Sequence, residues 1–142
     1  MNVFTYGTLM FPEVWRAVAG RDFASVRGTA AGYAAYRVQG AEFPGIVAAG
    51  DNNSVRGVVY LDVDEAALAR LDRFEDDFYV RETLWIKCDD GERRAAETYV
   101  VPAKNHAVLT DEPWNCDNFV AGGYLEQFVQ RFAGFSRLAD AD

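Results

Sequence analysis

Residues 71–81, Leu-Asp-Arg-Phe-Glu-Asp-Asp-Phe-Tyr-Val-Arg, read as a helix that hands over almost directly to a strand. Upstream, Ala67, Leu68, Leu71 and Phe74 recur at three- and four-residue spacing, the mark of one buried helical stripe. At about 100° per residue, Glu75 falls between Leu68 and Leu71 on that stripe. A fold built on this segment must therefore point a carboxylate inward. Burial, the negative end of the helix dipole and the neighbours Asp72, Asp76 and Asp77 all disfavour the ionised form. The pKa of Glu75 is expected to rise toward the range useful for proton transfer. The competing reading is structural: Glu75 frays into solvent or pairs with Arg73 or Arg81.

The flanking chain is rich in strands. Residues 2–6 read as a short strand stopped at Gly7, and Pro12 suits the first turn of a helix that Gly20 ends. Tyr6-Gly7-Thr8-Leu9 thus joins a strand end to a helix start. Such a junction offers free backbone N–H groups that suit a small carboxylate, and equally serves as an ordinary turn. Neither GxxxxGK[ST] nor GxGxxG occurs, so nucleotide phosphates are not indicated.

Residues 24–40 read as one strand bent at Gly28 or Gly32, and residues 43–47 as a turn into a short strand that Pro44 marks as an edge or a beginning. After a polar turn at 51–54, residues 55–63 read as a largely buried strand leading into the Glu75 helix. Residues 78–88 form a long strand in which Tyr79, Arg81, Thr83 and Trp85 share one face, with Val80, Leu84 and Ile86 on the other. A hairpin turn at Asp89-Asp90-Gly91 returns the chain through residues 92–101. Residues 104–113 read as an irregular polar loop holding His106. A last helix is expected to carry Phe119, Val120, Tyr124, Leu125, Phe128, Val129 and Phe132 as core packing.

Composition narrows the chemistry. With 142 residues, half of them hydrophobic, the chain suits a single domain over residues 1–137 with a flexible tail at 138–142. Fourteen basic residues against 22 acidic ones give a net charge of −8, which argues against nucleic-acid partners and anionic membranes. Cys88 and Cys116 lack a CxxC or a Cys/His spacing, and His106 is the only histidine, so no metal, disulfide framework or His-based triad is expected. No signal peptide and no long apolar run are read, so a cytoplasmic protein is expected. Carboxylate chemistry is the natural choice for an enzyme of this composition.

Tyr6-Gly7-Thr8-Leu9 after the first strand, combined with Leu71-Asp72-Arg73-Phe74-Glu75 before Tyr79 and Arg81, resembles the γ-glutamylcyclotransferase-like family. Phe43-Pro44-Gly45-Ile46, Val55-Arg56-Gly57-Val58-Val59-Tyr60 and Glu97-Thr98-Tyr99-Val100 are similar to that family's intervening strands. Only Asp76, Asp77 and Phe78 separate Glu75 from Tyr79, a spacer similar to that of the plant avirulence-induced branch.

The resemblance implies an α/β (α+β) fold with a mixed, barrel-like sheet, flanking helices and a cavity beside the first strand. It implies that Tyr6, Gly7, Thr8 and Leu9 hold a substrate carboxylate, with Tyr79 and Arg81 also at the substrate, and that Glu75 accepts and returns a proton. The implied reaction is attack of a γ-glutamyl α-amino group on its own γ-carbonyl. It releases 5-oxoproline and an amine or amino acid, with no cofactor and no metal. The implied partner is a small γ-glutamyl substrate, and the protein is expected to be a monomer or homodimer. Two other readings stay open: a small-carboxylate binding module that uses the same pocket without turnover, and a protein-interaction domain built on the aromatic C-terminal helix.

Overall fold

A computed structural model describes residues 1–38, 44–50, 52–75, 79–102, 105 and 109–113. In chain order the elements are β1 (Val3–Thr5), a 3-10 helix (Thr8–Met10), α1 (Pro12–Ala19), β2 (Ser25–Ala31), β3 (Tyr33–Val38) and β4 (Pro44–Ala48). There follow β5 (Ser54–Tyr60), α2 (Glu65–Glu75), β6 (Val80–Cys88), β7 (Arg93–Val100) and β8 (Leu109–Pro113). Strands β1-β5-β2-β6-β7 close into a barrel, and β4-β3-β8 form a separate sheet. The barrel is mixed, since β1 runs antiparallel to β5 but parallel to β7. The expected mixed, barrel-like sheet with flanking helices is therefore what the chain adopts.

Alternation along the strands sorts the side chains into two cores. Phe4, Ala30, Val55, Val59, Leu84, Ile86, Cys88, Ala96 and Val100 come from all five barrel strands and fill its interior. On the outer side, Val3 and Tyr60 pack with Val14, Trp15 and Val18 of α1 and with Ala67, Leu68 and Leu71 of α2. Gly57 lets β5 and β1 approach: a Cβ at this position would stand 2.1 Å from the carbonyl oxygen of Thr5.

The helices begin and end where their sequences direct. Pro12 occupies the first turn of α1, and Gly20 closes it in the left-handed conformation (φ 94°) with its N–H on the carbonyl of Arg16. Asp64 caps α2, its carboxylate accepting the N–H of Ala67 at 2.8 Å.

Two expectations are corrected. Residues 24–40 form two strands in different sheets, because Gly32 adopts φ 83° and turns the chain; its N–H meets the carbonyl of Asn53, and its carbonyl takes the N–H of Ala49, both at 2.8 Å. Gly28 stays inside β2. Residues 109–113, expected to be irregular, form β8 on the open side of β3. Polar Leu-Thr-Asp-Glu-Pro lacks apolar alternation because it is an edge strand, which needs backbone pairing more than a buried face. Pro44 does begin a strand, and that strand is an edge. His106, Cys116, the expected last helix and the tail at 138–142 lie outside the described residues.

Candidate active site around Glu75

Topology brings the two ends of the expected site together. Because β5 is antiparallel to β1, α2 starts near the beginning of β1 and climbs beside it. Eleven residues at about 1.5 Å each carry it to the end of the barrel where β1 and β7 finish. Glu75 is its last residue. The second sheet meets the barrel at the same end, where Ile46 of β4 accepts the N–H of Val101 at 3.1 Å.

Glu75 retains some contact with solvent, yet the protein packed around its carboxyl pushes the pKa up to about 8. That combination describes a half-buried residue whose carboxyl is surrounded mostly by protein. Desolvation by burial is the cause. The flanking aspartates and the helix dipole are not needed to explain it. No ion pair or hydrogen bond to Glu75 is found among the described residues, and the guanidinium of Arg81 meets Asp72 and Glu97 instead. Three tyrosines stand within electrostatic reach. Burial, with Glu75 nearby, raises the phenols of Tyr6, Tyr79 and Tyr99 above their ordinary range. Tyr79 also feels Tyr6, and Tyr99 feels Asp72.

Tyr6, which opens the Tyr6–Leu9 junction, belongs to this group. Tyr6 is buried, and its phenol donates to the carbonyl of Tyr99 at 2.6 Å while accepting the N–H of Ile46 at 3.3 Å. It ties β1, β7 and β4 together. The carbonyl of Gly7 accepts the N–H of Met10 at 3.0 Å, and that of Leu9 accepts the phenol of Tyr60 at 3.1 Å. Thr8 and Leu9 open the 3-10 helix, where N–H groups have no partner within the turn. Such donors suit an anion.

Of the residues expected at the site, Tyr6, Tyr79 and Glu75 stand within electrostatic reach of one another, and Gly7, Thr8 and Leu9 follow Tyr6 in the chain. Arg81, the second residue of β6, braces α2 through Asp72 at 3.0 Å and stands 3.7 Å from Glu97. Sequence reasoning missed Tyr99 as a site residue. The hairpin register places it directly opposite Arg81. Counting back from the Gly91 turn pairs these positions, which is the signal that could have found it.

Residues 3–116 match the family described as "Gamma-glutamyl cyclotransferase, AIG2-like". The chain is 31% identical over 132 residues to Protein AIG2 C of Arabidopsis thaliana, covering 92% of this chain and 78% of that one. A solved solution structure from Arabidopsis thaliana superposes with a TM-score of 0.70 at 30% identity, covering 94% of this chain and 80% of that one. A structure titled "Gamma-glutamyl cyclotransferase" shares the fold at a TM-score of 0.66 and 13% identity, over 89% and 85% of the two chains. The closed mixed barrel with its flanking helices defines the class of the fold. This chain belongs to the gamma-glutamyl cyclotransferase, AIG2-like family. Among the described residues no helix is long and apolar enough to cross a membrane, and no group of three or more metal-ligating side chains is found.

Proposed function

We propose that this protein cyclises a γ-glutamyl amino acid or γ-glutamyl amine, releasing 5-oxoproline, with Glu75 as the proton carrier. The observation that carries this reading is the position of Glu75: a carboxyl pushed to about 8 by burial, within electrostatic reach of Tyr6, the residue that opens the strand-to-helix junction. The N–H groups at Thr8 and Leu9 hold the substrate's α-carboxylate. This orients the α-amino group toward the γ-carbonyl carbon of the same residue.

An ammonium group has no lone pair with which to attack. The α-ammonium first releases one proton to solvent, which frees the lone pair. Glu75 takes a second proton from the α-nitrogen as its bond to the γ-carbon forms and delivers it to the departing nitrogen as the old amide bond breaks, and the free amine then takes up a proton from solvent. No water is consumed, and atoms and charge balance between the substrate and its two products. A carboxyl whose pKa lies near the working pH serves both transfers, since it is neither too weak a base nor too weak an acid. The enclosed tyrosines exclude water and keep the carboxyl near this pKa.

The test is to incubate the purified protein with a panel of γ-glutamyl dipeptides and γ-glutamyl amines and to assay 5-oxoproline. Release from at least one class is expected. Binding of 5-oxoproline by calorimetry, with no turnover across the panel, would instead identify a binding module that retains the pocket.

A further inference from the structure

We propose that Tyr99 is the positioning residue that locks the Glu75 end of α2 against the end of β1. The catalytic part of this inference rests on the reading of Glu75 as proton carrier; the structural part does not. Tyr99 is held at both of its polar ends. Its backbone carbonyl accepts the Tyr6 phenol at 2.6 Å, and its own phenol donates to Asp72 at 2.6 Å. One residue of β7 thus joins the first strand's exit to the last turns of α2.

Asp72 precedes Glu75 by three residues, so the two carboxyls lie on one face of the helix and about 5–6 Å apart at Cβ. Fixing Asp72 therefore fixes the rotation at which Glu75 meets the tyrosines around it. A helix terminus left to itself frays, because its last carbonyls have no donor within the helix. Arg81 reinforces the lock from β6: it reaches both oxygens of Asp72, at 3.2 and 3.0 Å, and approaches Glu97 at 3.7 Å. Thr83 donates to the other oxygen of Glu97 at 2.7 Å. The register sets Arg81 opposite Tyr99 and Thr83 opposite Glu97, so one face of the β6–β7 hairpin grips a single helical carboxylate.

A phenylalanine at position 99 would fill the same space among Val3, Leu9 and Leu71. The hydroxyl is what packing alone does not require. Two short bonds through one residue are a rigid tie, and proton transfer is sensitive to placement on a scale of about 1 Å.

Burial sets the titration of Glu75. Among the described residues the titratable and charged groups around it are the phenols of Tyr6, Tyr79 and Tyr99, which feel its charge, with Asp72, Arg81 and Glu97 linked to it through Tyr99 and the α2 face. Removing the Tyr99 hydroxyl leaves Asp72 held by Arg81 alone and loosens the last turn, so Glu75 gains water and its titration moves down. A role in stability alone would leave that titration where it is.

The experiment follows the Glu75 carboxyl by NMR in protein labelled with ¹³C-glutamate, with the resonance assigned by its loss in Glu75→Gln. In Tyr99→Phe the midpoint should fall by ~1 unit or more, toward the ordinary carboxylate range. With a turned-over substrate, kcat should drop about tenfold to a hundredfold while KM changes little. Asp72→Ala, which removes the Tyr99 bond together with both Arg81 bonds, should lower the midpoint at least as far as Tyr99→Phe, and the double variant should be no worse than Asp72→Ala alone, because the Tyr99 bond is already lost there.

Tyr99→Phe keeps the ring and the carbonyl that holds Tyr6, and melting curves establish that it folds. A folded Tyr99→Phe protein with an unmoved Glu75 midpoint overturns the proposal, as do fully additive effects of the two substitutions. If the wild type turns over no γ-glutamyl substrate, the proton-transfer reading fails. The carboxyl titration then still decides what Tyr99 does.

Discussion

The indole of Trp15 lies flat on the phenol ring of Tyr60, with centroids 3.7 Å apart and planes within 7°. Trp15 is fully buried in α1, and its ring N–H reaches the carbonyl of Arg21 at 3.1 Å. Tyr60, at the end of β5, extends from the stack to the carbonyl of Leu9. The stack therefore joins α1 to the barrel, and the phenol beyond it carries that rigidity to the junction that Tyr6 opens.

Trp15→Ala should cost about 3–5 kcal/mol, the scale of emptying a large aromatic site. Tyr60→Phe keeps the stack and removes one hydrogen bond, so it should cost only about 1 kcal/mol. Urea unfolding of both variants checks the ordering. Equal losses would mean that the hydroxyl, and not the ring contact, dominates this corner of the fold.

The corner also shows what was legible in the chain. Pro12 and Gly20 bracket α1 by chemistry that acts within a few residues, and Glu75 joins its buried stripe through helical periodicity alone. Those features needed no knowledge of the tertiary structure. Tyr99 was different: its partners Tyr6 and Asp72 lie 93 and 27 residues away. Only strand register and barrel closure bring them together, and neither is written in local pattern. Gly32 failed as a boundary marker for a related reason. Glycine permits both a bend within a strand and a turn between sheets, and the choice is made by Asn53 and Ala49 across the turn. Arg81 was read as sharing a face with Tyr79, but its engagement with Asp72 depends on how α2 docks.

Gly57→Ala should disturb the β1–β5 pairing. A Cβ there would stand 2.1 Å from the Thr5 carbonyl and 2.8 Å from the Phe4 ring, and the nearer obstacle is backbone that cannot swing aside. The expected loss is at the upper end of the range for overpacking, about 3 kcal/mol. Chemical denaturation measures it. An unchanged midpoint would show that β1 yields freely, which its place between β5 and β7 does not suggest.

Thr98 is fully buried on the interior face of β7 that Ala96 and Val100 share, and its hydroxyl has no hydrogen-bond partner among the described residues. Valine has nearly the same shape without the polar atom. Thr98→Val should therefore stabilise the protein by about 1 kcal/mol, since an unsatisfied buried hydroxyl carries a desolvation penalty. A lower melting temperature in this variant would indicate that the hydroxyl is bonded in solution and would reverse the sign.

The pH behaviour of Glu75 gives a test in which stability and activity move oppositely. The folded-state pKa, about 8, lies above the ordinary value of 4.5, so the folded protein binds a proton that the unfolded chain has released. The carboxyl's contribution to stability is fully present below about 4.5, declines as pH rises, and is lost above about 8. Activity runs the other way, because the base form appears only as pH rises through that upper value. Glu75→Gln keeps the volume but cannot titrate. Its stability should match the wild type in acid and exceed it in mild alkali, where the wild type must enclose a charge. Turnover should fall by about 10² or more, the usual scale of general acid/base catalysis. Melting curves and 5-oxoproline assays on the same samples across the pH range give both readouts. A variant that keeps wild-type turnover removes Glu75 as the proton carrier. A variant less stable than the wild type at every pH assigns the carboxylate to a structural pair instead.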